Sequence, residues 1–166
     1  ILLTVHRPSN VDNIKKFSSL IAAIKDLSLN KPIIWPAHPR LKKILKEVDL
    51  TNSNIYLSEP VGYFQFMGLQ REAYCIITDS GGVQEESTYF NVPCFTIRKN
   101  TERPVTVHRG TNSIIGDDFT KMVKIITNFN FDKIHNNKKP KLWDGNSSLR
   151  IKNHLINYFK GNFNVK

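Results

Sequence analysis

The chain has 166 residues, of which 40 % are apolar, enough for about one domain with a buried core. Its two cysteines, Cys75 and Cys94, exclude a disulfide scaffold and a four-thiolate zinc site; because both lie in apolar runs, we expect buried, reduced thiols in a cytoplasmic protein. No apolar run reaches the roughly 18 residues that cross a bilayer, and the first residues lack the basic start of a signal peptide. The net charge of +10 comes from scattered lysines without a nucleic-acid-binding motif, so we expect a solvated basic surface and neither a nucleic-acid nor a membrane partner.

Short apolar segments alternate with amphipathic ones along the chain. This alternation predicts strands at residues 1–5, 32–35, 54–57, 74–78, 93–97 and 113–115. It predicts helices at residues 14–27, 41–48, 63–72, 83–90, 118–128 and 148–159. Asp12 or Asn10 is expected to cap the first helix, after a polar loop at residues 6–10, and residues 136–141 are expected to form a second loop. Strands that alternate with helices indicate a Rossmann-like, doubly wound parallel sheet of the α/β class.

Polar residues follow the predicted strands, and ligands of open parallel sheets bind at the carboxyl ends of the strands. The residues at these positions are His6 and Arg7, His38, Glu59, the segment 79–82, Arg98 and the segment 101–104. Five strand ends therefore carry proton-transfer groups, anion-binding groups or glycines. A purely structural domain has no need for this arrangement, so we expect a functional site along this edge.

The segment Ser80–Gly82 is the strongest local signal. Glycines between a strand and a helix allow close backbone approach, and free N–H groups at the helix start suit a phosphate or diphosphate. Glu86, almost two turns later, is better placed for ribose hydroxyls. The alternative is a plain turn capped by Ser80. Of Phe64 and Phe66, one is explained by core packing and the other is available to a base.

Histidines at the strand ends also have simpler explanations. His6 is either a functional group or a side chain bonded to a nearby carbonyl, and its neighbour Arg7 favours function. His38 lies between two prolines and is open to both interpretations. A zinc site built from these two histidines is conceivable, but no cluster of residues has ligand spacing.

Five segments together resemble a known family. They are 4–12, 35–39, 79–86, 98–104 and 110–112, which read TVHRPSNVD, WPAHP, DSGGVQEE, RKNTERP and GTN. In this order they closely resemble the carboxyl-terminal half of the non-hydrolysing UDP-N-acetylglucosamine 2-epimerases. The resemblance extends to residues 142–145 and so covers nearly the whole chain.

The resemblance implies half of a two-domain enzyme of the glycosyltransferase-B type, with its active site between two Rossmann-like domains. Such enzymes interconvert UDP-N-acetylglucosamine and UDP-N-acetylmannosamine without a metal or nicotinamide cofactor, by anti elimination of UDP and re-addition. By resemblance, His6 and Arg103 match the family's catalytic groups. Ser80, Gly81 and Gly82 match its diphosphate site, Glu86 its ribose site, Phe66 its uracil site, and Arg98 a position near the phosphates. Arg7 and His38 match positions at the cleft or at a second, regulatory UDP-N-acetylglucosamine.

Two departures from the family pattern stand out. Ser9 replaces a glutamate that most members have. We also expect residues 1–166 to be a carboxyl-terminal UDP-binding domain only, without the amino-terminal domain that carries the acidic groups for the C2 proton. The chain alone is therefore expected to bind UDP weakly and to be inactive. Its partner is expected to be the missing amino-terminal domain, which a separate chain could supply. Homodimers are usual in the family.

Other functions remain open from the sequence. A hydrolysing epimerase or a transferase of the same fold would use a similar nucleotide site, and epimerases of UDP-sugars modified at C3, C5 or C6 share these motifs. A non-catalytic UDP-binding remnant of a split gene is an alternative of a different class, and a nucleic-acid-binding protein ranks third.

Overall fold

One parallel sheet forms the centre of the computed structural model, which describes residues 1–131 and 139–163. Its strands are β1 (Leu2–Thr4), β2 (Ile33–Pro36), β3 (Ile55–Ser58), β4 (Ile76–Thr78), β5 (Cys94–Thr96) and β6 (Asn112–Ile114). They are all parallel and lie in the order β3-β2-β1-β4-β5-β6. All six predicted strands are present, which confirms the doubly wound α/β fold. Residues 136–138 of the predicted loop lie outside the described residues.

Helices connect the strands and cover the sheet. The α-helices of the described residues are α1 (Pro8–Val11), α2 (Ile14–Ser28), α3 (Lys42–Leu45), α4 (Tyr63–Glu72), α5 (Gly81–Phe90), α6 (Pro104–His108), α7 (Phe119–Thr127) and α8 (Ser147–Phe163). A 3-10 turn at Pro39–Leu41 precedes α3, which is shorter than the predicted helix at 41–48. No described helix combines the length and apolar character that crossing a membrane requires.

The connection from β1 to α2 differs from the prediction. The expected loop at residues 6–10 is wrong, because the short helix α1 begins at Pro8. The cap of α2 is also different: the side chain of Asn13 accepts a hydrogen bond from the Lys16 N–H at 3.0 Å. Asn10 cannot be the cap, because its side chain is buried and bonded to Asp79 and to the Ile97 carbonyl.

The two faces of the sheet have separate cores, because successive residues of a strand point to opposite faces. Leu3 lies in the larger core, where α2 and α7 pack on the sheet around Trp35 and Phe95. Leu2 lies in the smaller core on the opposite face, with α4 and α5 above it. Each fully buried aliphatic side chain contributes about 1.5–3 kcal/mol to stability, so the larger core is the main source of stability.

Both cysteines are free and buried, Cys94 in β5 and Cys75 directly before β4, which confirms the prediction of buried thiols. Burial raises the pKa of Cys75 to about 12. Burial also raises the pKa of Cys94 to about 12, although hydrogen bonds from Ser87 and Thr96 partly oppose this. Both thiols therefore stay protonated at neutral pH.

Helix α8 shows a different kind of packing from the other long helices. Its apolar side chains are exposed, and they are Leu149, Ile151, Leu155, Ile156, Tyr158 and Phe159. Its main described link to the preceding turn is Arg150, which donates two hydrogen bonds to the carboxylate of Asp144. The described core clusters of the sheet contain none of these side chains.

Candidate functional site

The carboxyl ends of the strands meet at one edge of the sheet, and the strand order places the candidate residues there. From β1 the chain continues to one side, toward β2, and from β4 it continues to the other side, toward β5. The last paired residues of these adjacent strands are Thr4 and Thr78. His6 and the segment 79–82 follow directly on either side of this point. A reversal of strand order opens a crevice in which ligands of such sheets bind.

Asp79 links the segment after β1 to the segment after β4 through hydrogen bonds. Its carboxylate is fully buried and accepts hydrogen bonds from the backbone N–H of Arg7 at 2.9 Å and the side-chain amide of Asn10 at 3.0 Å. The N–H of His6 lies 3.2 Å from both carboxylate oxygens. In return, Nε of Arg7 donates to the backbone carbonyl of Asp79 at 3.0 Å. The sequence analysis did not single out Asp79, although an acid directly after a buried strand was a signal for it.

The imidazole of His6 pairs with the same carboxylate. Nδ1 of His6 lies 3.1 Å from Oδ1 of Asp79. This hydrogen bond raises the pKa of His6, against the opposing effect of partial burial. Burial by itself would raise the pKa of Asp79, but the hydrogen bonds from His6, Arg7 and Asn10 outweigh it and lower the pKa. A protonated His6 and an ionised Asp79 therefore stabilise one another.

The structure brings His6 and His38 together, with ring centroids 5.8 Å apart. Nδ1 of His38 accepts a hydrogen bond from the Arg40 N–H at 3.2 Å, so this nitrogen is already engaged. In the part of the chain that the structure describes, no group of three or more histidines, cysteines and acids could hold a metal ion.

The turn from β4 into α5 leaves open space at the helix start. Ser80 is the N-cap residue, but its side chain makes no capping hydrogen bond. A Cβ atom added at Gly82 would meet nothing within 4 Å, and at Gly81 only a carboxylate oxygen of Glu102 at 4.0 Å. The surrounding protein thus leaves room for a side-chain Cβ at both positions, so packing does not explain why they are glycines. The first N–H groups of α5 lack partners within the helix.

Helix α4 holds the side chain of Glu86 from one side. Oε2 of Glu86 accepts a hydrogen bond from the Gln70 amide at 2.6 Å, and Oε1 accepts one from the Tyr63 hydroxyl at 3.3 Å. Phe66, on the same helix, is partly buried against the smaller core, while Phe64 is 84 % exposed. Phe66 thus packs partly against the core, and the contact of its ring with a base stays a prediction.

The arginines after β5 are paired with acids. Arg98 donates to both oxygens of Glu102, at 2.8 and 2.6 Å, and the nearer oxygen of Glu102 is 4.0 Å from Nη2 of Arg7. The hydrogen bonds from Arg98 lower the pKa of Glu102 to about 2. Arg103 instead pairs through Nε with Glu85 on α5, at 3.0 Å. Cationic groups therefore stand on two sides of the helix start, each balanced by a carboxylate.

A buried polar cluster holds the segment 98–104 in place. Oε1 of Gln84 accepts hydrogen bonds from the Thr101 hydroxyl at 2.5 Å and from the Asn112 amide at 3.1 Å. The Thr96 hydroxyl donates to Oδ1 of Asn112 at 2.6 Å. These bonds join α5, β5 and β6 to the arginine-bearing segment. Sequence reading missed Gln84 and Asn112 as structural groups, because their importance follows from which strands are neighbours.

Known proteins similar to this chain share its sequence and fold. The model of the UDP-N-acetylglucosamine 2-epimerase family matches residues 1–156. A UDP-N-acetylglucosamine 2-epimerase of Methanocaldococcus jannaschii is 43 % identical over 157 residues, which are 90 % of this chain and 42 % of that protein. A UDP-2,3-diacetamido-2,3-dideoxy-D-glucuronate 2-epimerase of Pseudomonas aeruginosa is 34 % identical over 70 % of this chain and 33 % of its own length. The chain thus spans less than half the length of these relatives.

Solved structures agree with this relationship. The M. jannaschii enzyme in complex with UDP-GlcNAc and UDP superposes with a TM-score of 0.76 at 41 % identity, over 93 % of this chain and 44 % of that one. The S. aureus MnaA co-structure with UDP superposes with a TM-score of 0.84 at 28 % identity, over 96 % of this chain and 46 % of that one. With the motifs, the sheet order and the crevice in agreement, this chain belongs to the UDP-N-acetylglucosamine 2-epimerase family.

Proposed function

We propose that this chain supplies the UDP-binding half of the active-site cleft of a UDP-N-acetylglucosamine 2-epimerase. The observation that carries the proposal is the side-chain-free start of α5 at Gly81 and Gly82, beside the strand-order reversal. In this proposal Ser80 and the two glycines bind the diphosphate, and Glu86 binds the ribose hydroxyls. Phe66 contacts the uracil. The related M. jannaschii enzyme forms a complex with UDP-GlcNAc and UDP, which supports the choice of ligand.

The groups around the crevice fit the elimination of a nucleoside diphosphate. When the bond from C1 to the diphosphate breaks, negative charge grows on the leaving oxygen. Helix N–H groups and guanidinium groups stabilise such charge because they are already oriented toward it. We assign this stabilisation to α5, Arg98 and Arg103, and we assign proton transfer near the sugar to His6. Arg7 and His38 line the cleft or a second, regulatory nucleotide-sugar site.

The sugar is expected to be UDP-N-acetylglucosamine itself. The relatives that bear this name are up to 43 % identical to the chain, and the relative acting on the diacetamido-glucuronate sugar is 34 % identical. The partner is the other domain of the cleft, in the same polypeptide or in a separate one, and a homodimer, which is usual in the family, is a candidate assembly. Reduced, buried cysteines support a cytoplasmic location.

One glycine substitution tests the proposed site, because its effect on UDP affinity and its effect on the free energy of unfolding can be measured separately. We expect Gly82→Ala to weaken UDP binding by about tenfold or more, because a methyl group would fill the space of the diphosphate. The substitution has room in the unliganded protein, so its free energy of unfolding should not fall. Calorimetric titration with UDP and urea unfolding measure the two quantities.

Gly68→Ala in α4 is the matched control, since a Cβ there also meets nothing within 4 Å. It should raise the free energy of unfolding by roughly 0.5–1 kcal/mol and leave UDP binding unchanged. Equal UDP affinity of the Gly82→Ala variant and the unmodified chain would contradict the proposed site. The chain by itself should not convert UDP-N-acetylglucosamine to the manno epimer, which NMR detects, since the resemblance assigns the acids near C2 to the other domain.

A further inference from the structure

Asp79 has no task in the proposed function, yet its environment is unusual. Among the residues that the structure describes, it is the one acidic side chain that is fully buried. A buried carboxylate is costly unless hydrogen-bond donors compensate it. Here donors come from three residues of the segment after β1, which is 69 or more positions away in the sequence.

The two oxygens of Asp79 have different partners. Oδ2 lies within hydrogen-bond distance of three permanent donors, the N–H groups of His6 and Arg7 and the amide of Asn10. The orientation of that amide is set by a second acceptor, the Ile97 carbonyl at 3.3 Å. Oδ1 is shared between the N–H of His6 and Nδ1 of its ring. The backbone thus holds the carboxylate still and presents one oxygen to the imidazole.

An ionised carboxylate can only accept hydrogen bonds, so Nδ1 of His6 must carry the hydrogen. The neutral ring then has its lone pair on Nε2. We propose that Asp79 is a positioning residue that fixes His6 in the Nδ1–H tautomer and makes Nε2 the nitrogen that exchanges a proton with the substrate. The assignment of a substrate to His6 rests on the proposed function, but the tautomer does not.

The other charged groups near His6 do not supply this effect. The guanidinium of Arg7 disfavours protonation of His6, and Glu102 lies beyond it, 4.0 Å from Nη2 of Arg7. The ring of His38 uses its Nδ1 for the Arg40 N–H. Asp79 is therefore the group that both orients the ring of His6 and raises its pKa.

Asp79→Asn changes the proton pattern while keeping the shape. The single amide oxygen of the new side chain belongs where Oδ2 is, because three permanent donors converge there. Its NH₂ group then faces Nδ1 of His6. Two donors cannot bond to each other, so Nδ1 must become the acceptor and the hydrogen moves to Nε2. Asp26→Asn removes the same charge from an exposed position of α2 and is the matched control.

The experiment is ¹⁵N NMR of the histidine rings of this chain across pH. In the unmodified chain, we expect the neutral His6 ring to be protonated at Nδ1. In Asp79→Asn we expect protonation at Nε2 and a lower titration midpoint for His6. In Asp26→Asn both should match the unmodified chain, and the curves of His108 and His154 should coincide in all three proteins.

An Nε2–H tautomer of His6 in the unmodified chain would overturn the inference without any variant, so a failure of Asp79→Asn to fold does not protect it. An unchanged tautomer in a folded Asp79→Asn variant would also overturn it. UDP titration of the same samples tests the proposed function separately. An Nδ1–H tautomer without UDP binding supports this inference and contradicts the proposed function. An Nε2–H tautomer with UDP binding contradicts this inference and supports the proposed function.

Discussion

Glu102 lies beside the start of α5, where the proposed function puts a diphosphate. Its carboxylate neutralises Arg98 and approaches Arg7 and the space above Gly81. A dianionic ligand must compete with it for these groups. We therefore expect Glu102→Gln to tighten UDP binding, by up to about fivefold at low salt and less at high salt.

Calorimetric titration at two salt concentrations measures this effect. Glu47→Gln removes an equal charge from an exposed position away from the crevice and should leave the affinity unchanged. Weaker binding of UDP by Glu102→Gln would show instead that Glu102 is needed to orient Arg98 for the ligand.

The pairing of His6 with Asp79 also predicts how stability depends on pH. The raised pKa of His6 means that its contribution is complete below its ordinary value of 6.5 and is lost as the pH rises through the folded-state value. The lowered pKa of Asp79 means that its contribution is complete above its ordinary value of 3.8 and is lost as the pH falls through the folded-state value. The pair thus stabilises the fold most between about pH 4 and 6.5.

Urea unfolding of the unmodified chain and of Asp79→Asn from pH 3 to 8 checks this expectation. The difference in free energy of unfolding between the two proteins should be largest inside that window and shrink on both sides. A difference that does not vary with pH would mean that the two side chains are not coupled in the folded state.

Single side chains differ in how far the sequence predicts them. His6, His38, the turn at Ser80–Gly82 and Arg98 were found because they follow apolar segments that predict strands. The contacts that these residues make with one another and with other side chains were not predicted. The hydrogen bond between His6 and Asp79 depends on β1 lying next to β4. The hydrogen bond from Gln70 to Glu86 depends on α4 lying against α5. Such contacts join distant positions, and periodicity carries no information about them.

Helix α8 invites a test of its own. Its apolar residues are exposed, and the described core clusters contain none of them. A chain that ends at Asn146 should therefore unfold with a free energy within about 0.5 kcal/mol of the full chain. Urea unfolding followed by circular dichroism measures this. A loss of 2 kcal/mol or more would show that α8 supports the sheet.

The helices that sequence reading missed share one property. Both α1 and α6 are short, with four and five residues, and both begin with a proline, Pro8 and Pro104. So few residues cannot display a helical period. At the first position of a helix, proline has no N–H to lose and its fixed φ suits the helix. The longer helix α2 was predicted because its apolar positions repeat, and α4, α5 and α7 were predicted from their places between the strands.

The whole domain was predictable to a large extent, because alternating strands and helices allow few arrangements. Parallel pairing and right-handed connections lead to a doubly wound sheet, and polar residues at several strand ends indicate one binding edge. Family motifs in the sequence added the ligand, which apolar patterning cannot identify. In the proposed function the chain supplies one wall of a cleft, and the M. jannaschii relative is more than twice as long as the chain.

The protonated, buried thiols of Cys75 and Cys94 provide a way to measure how often the structure around them opens. A thiol with a pKa near 12 and no exposed surface is almost inert to alkylating reagents at neutral pH. Alkylation of either thiol thus requires the structure around it to open, locally or as a whole. The rate at which this chain takes up an alkylating label, followed by mass spectrometry, consequently measures how often that opening occurs, with no dye or substitution introduced.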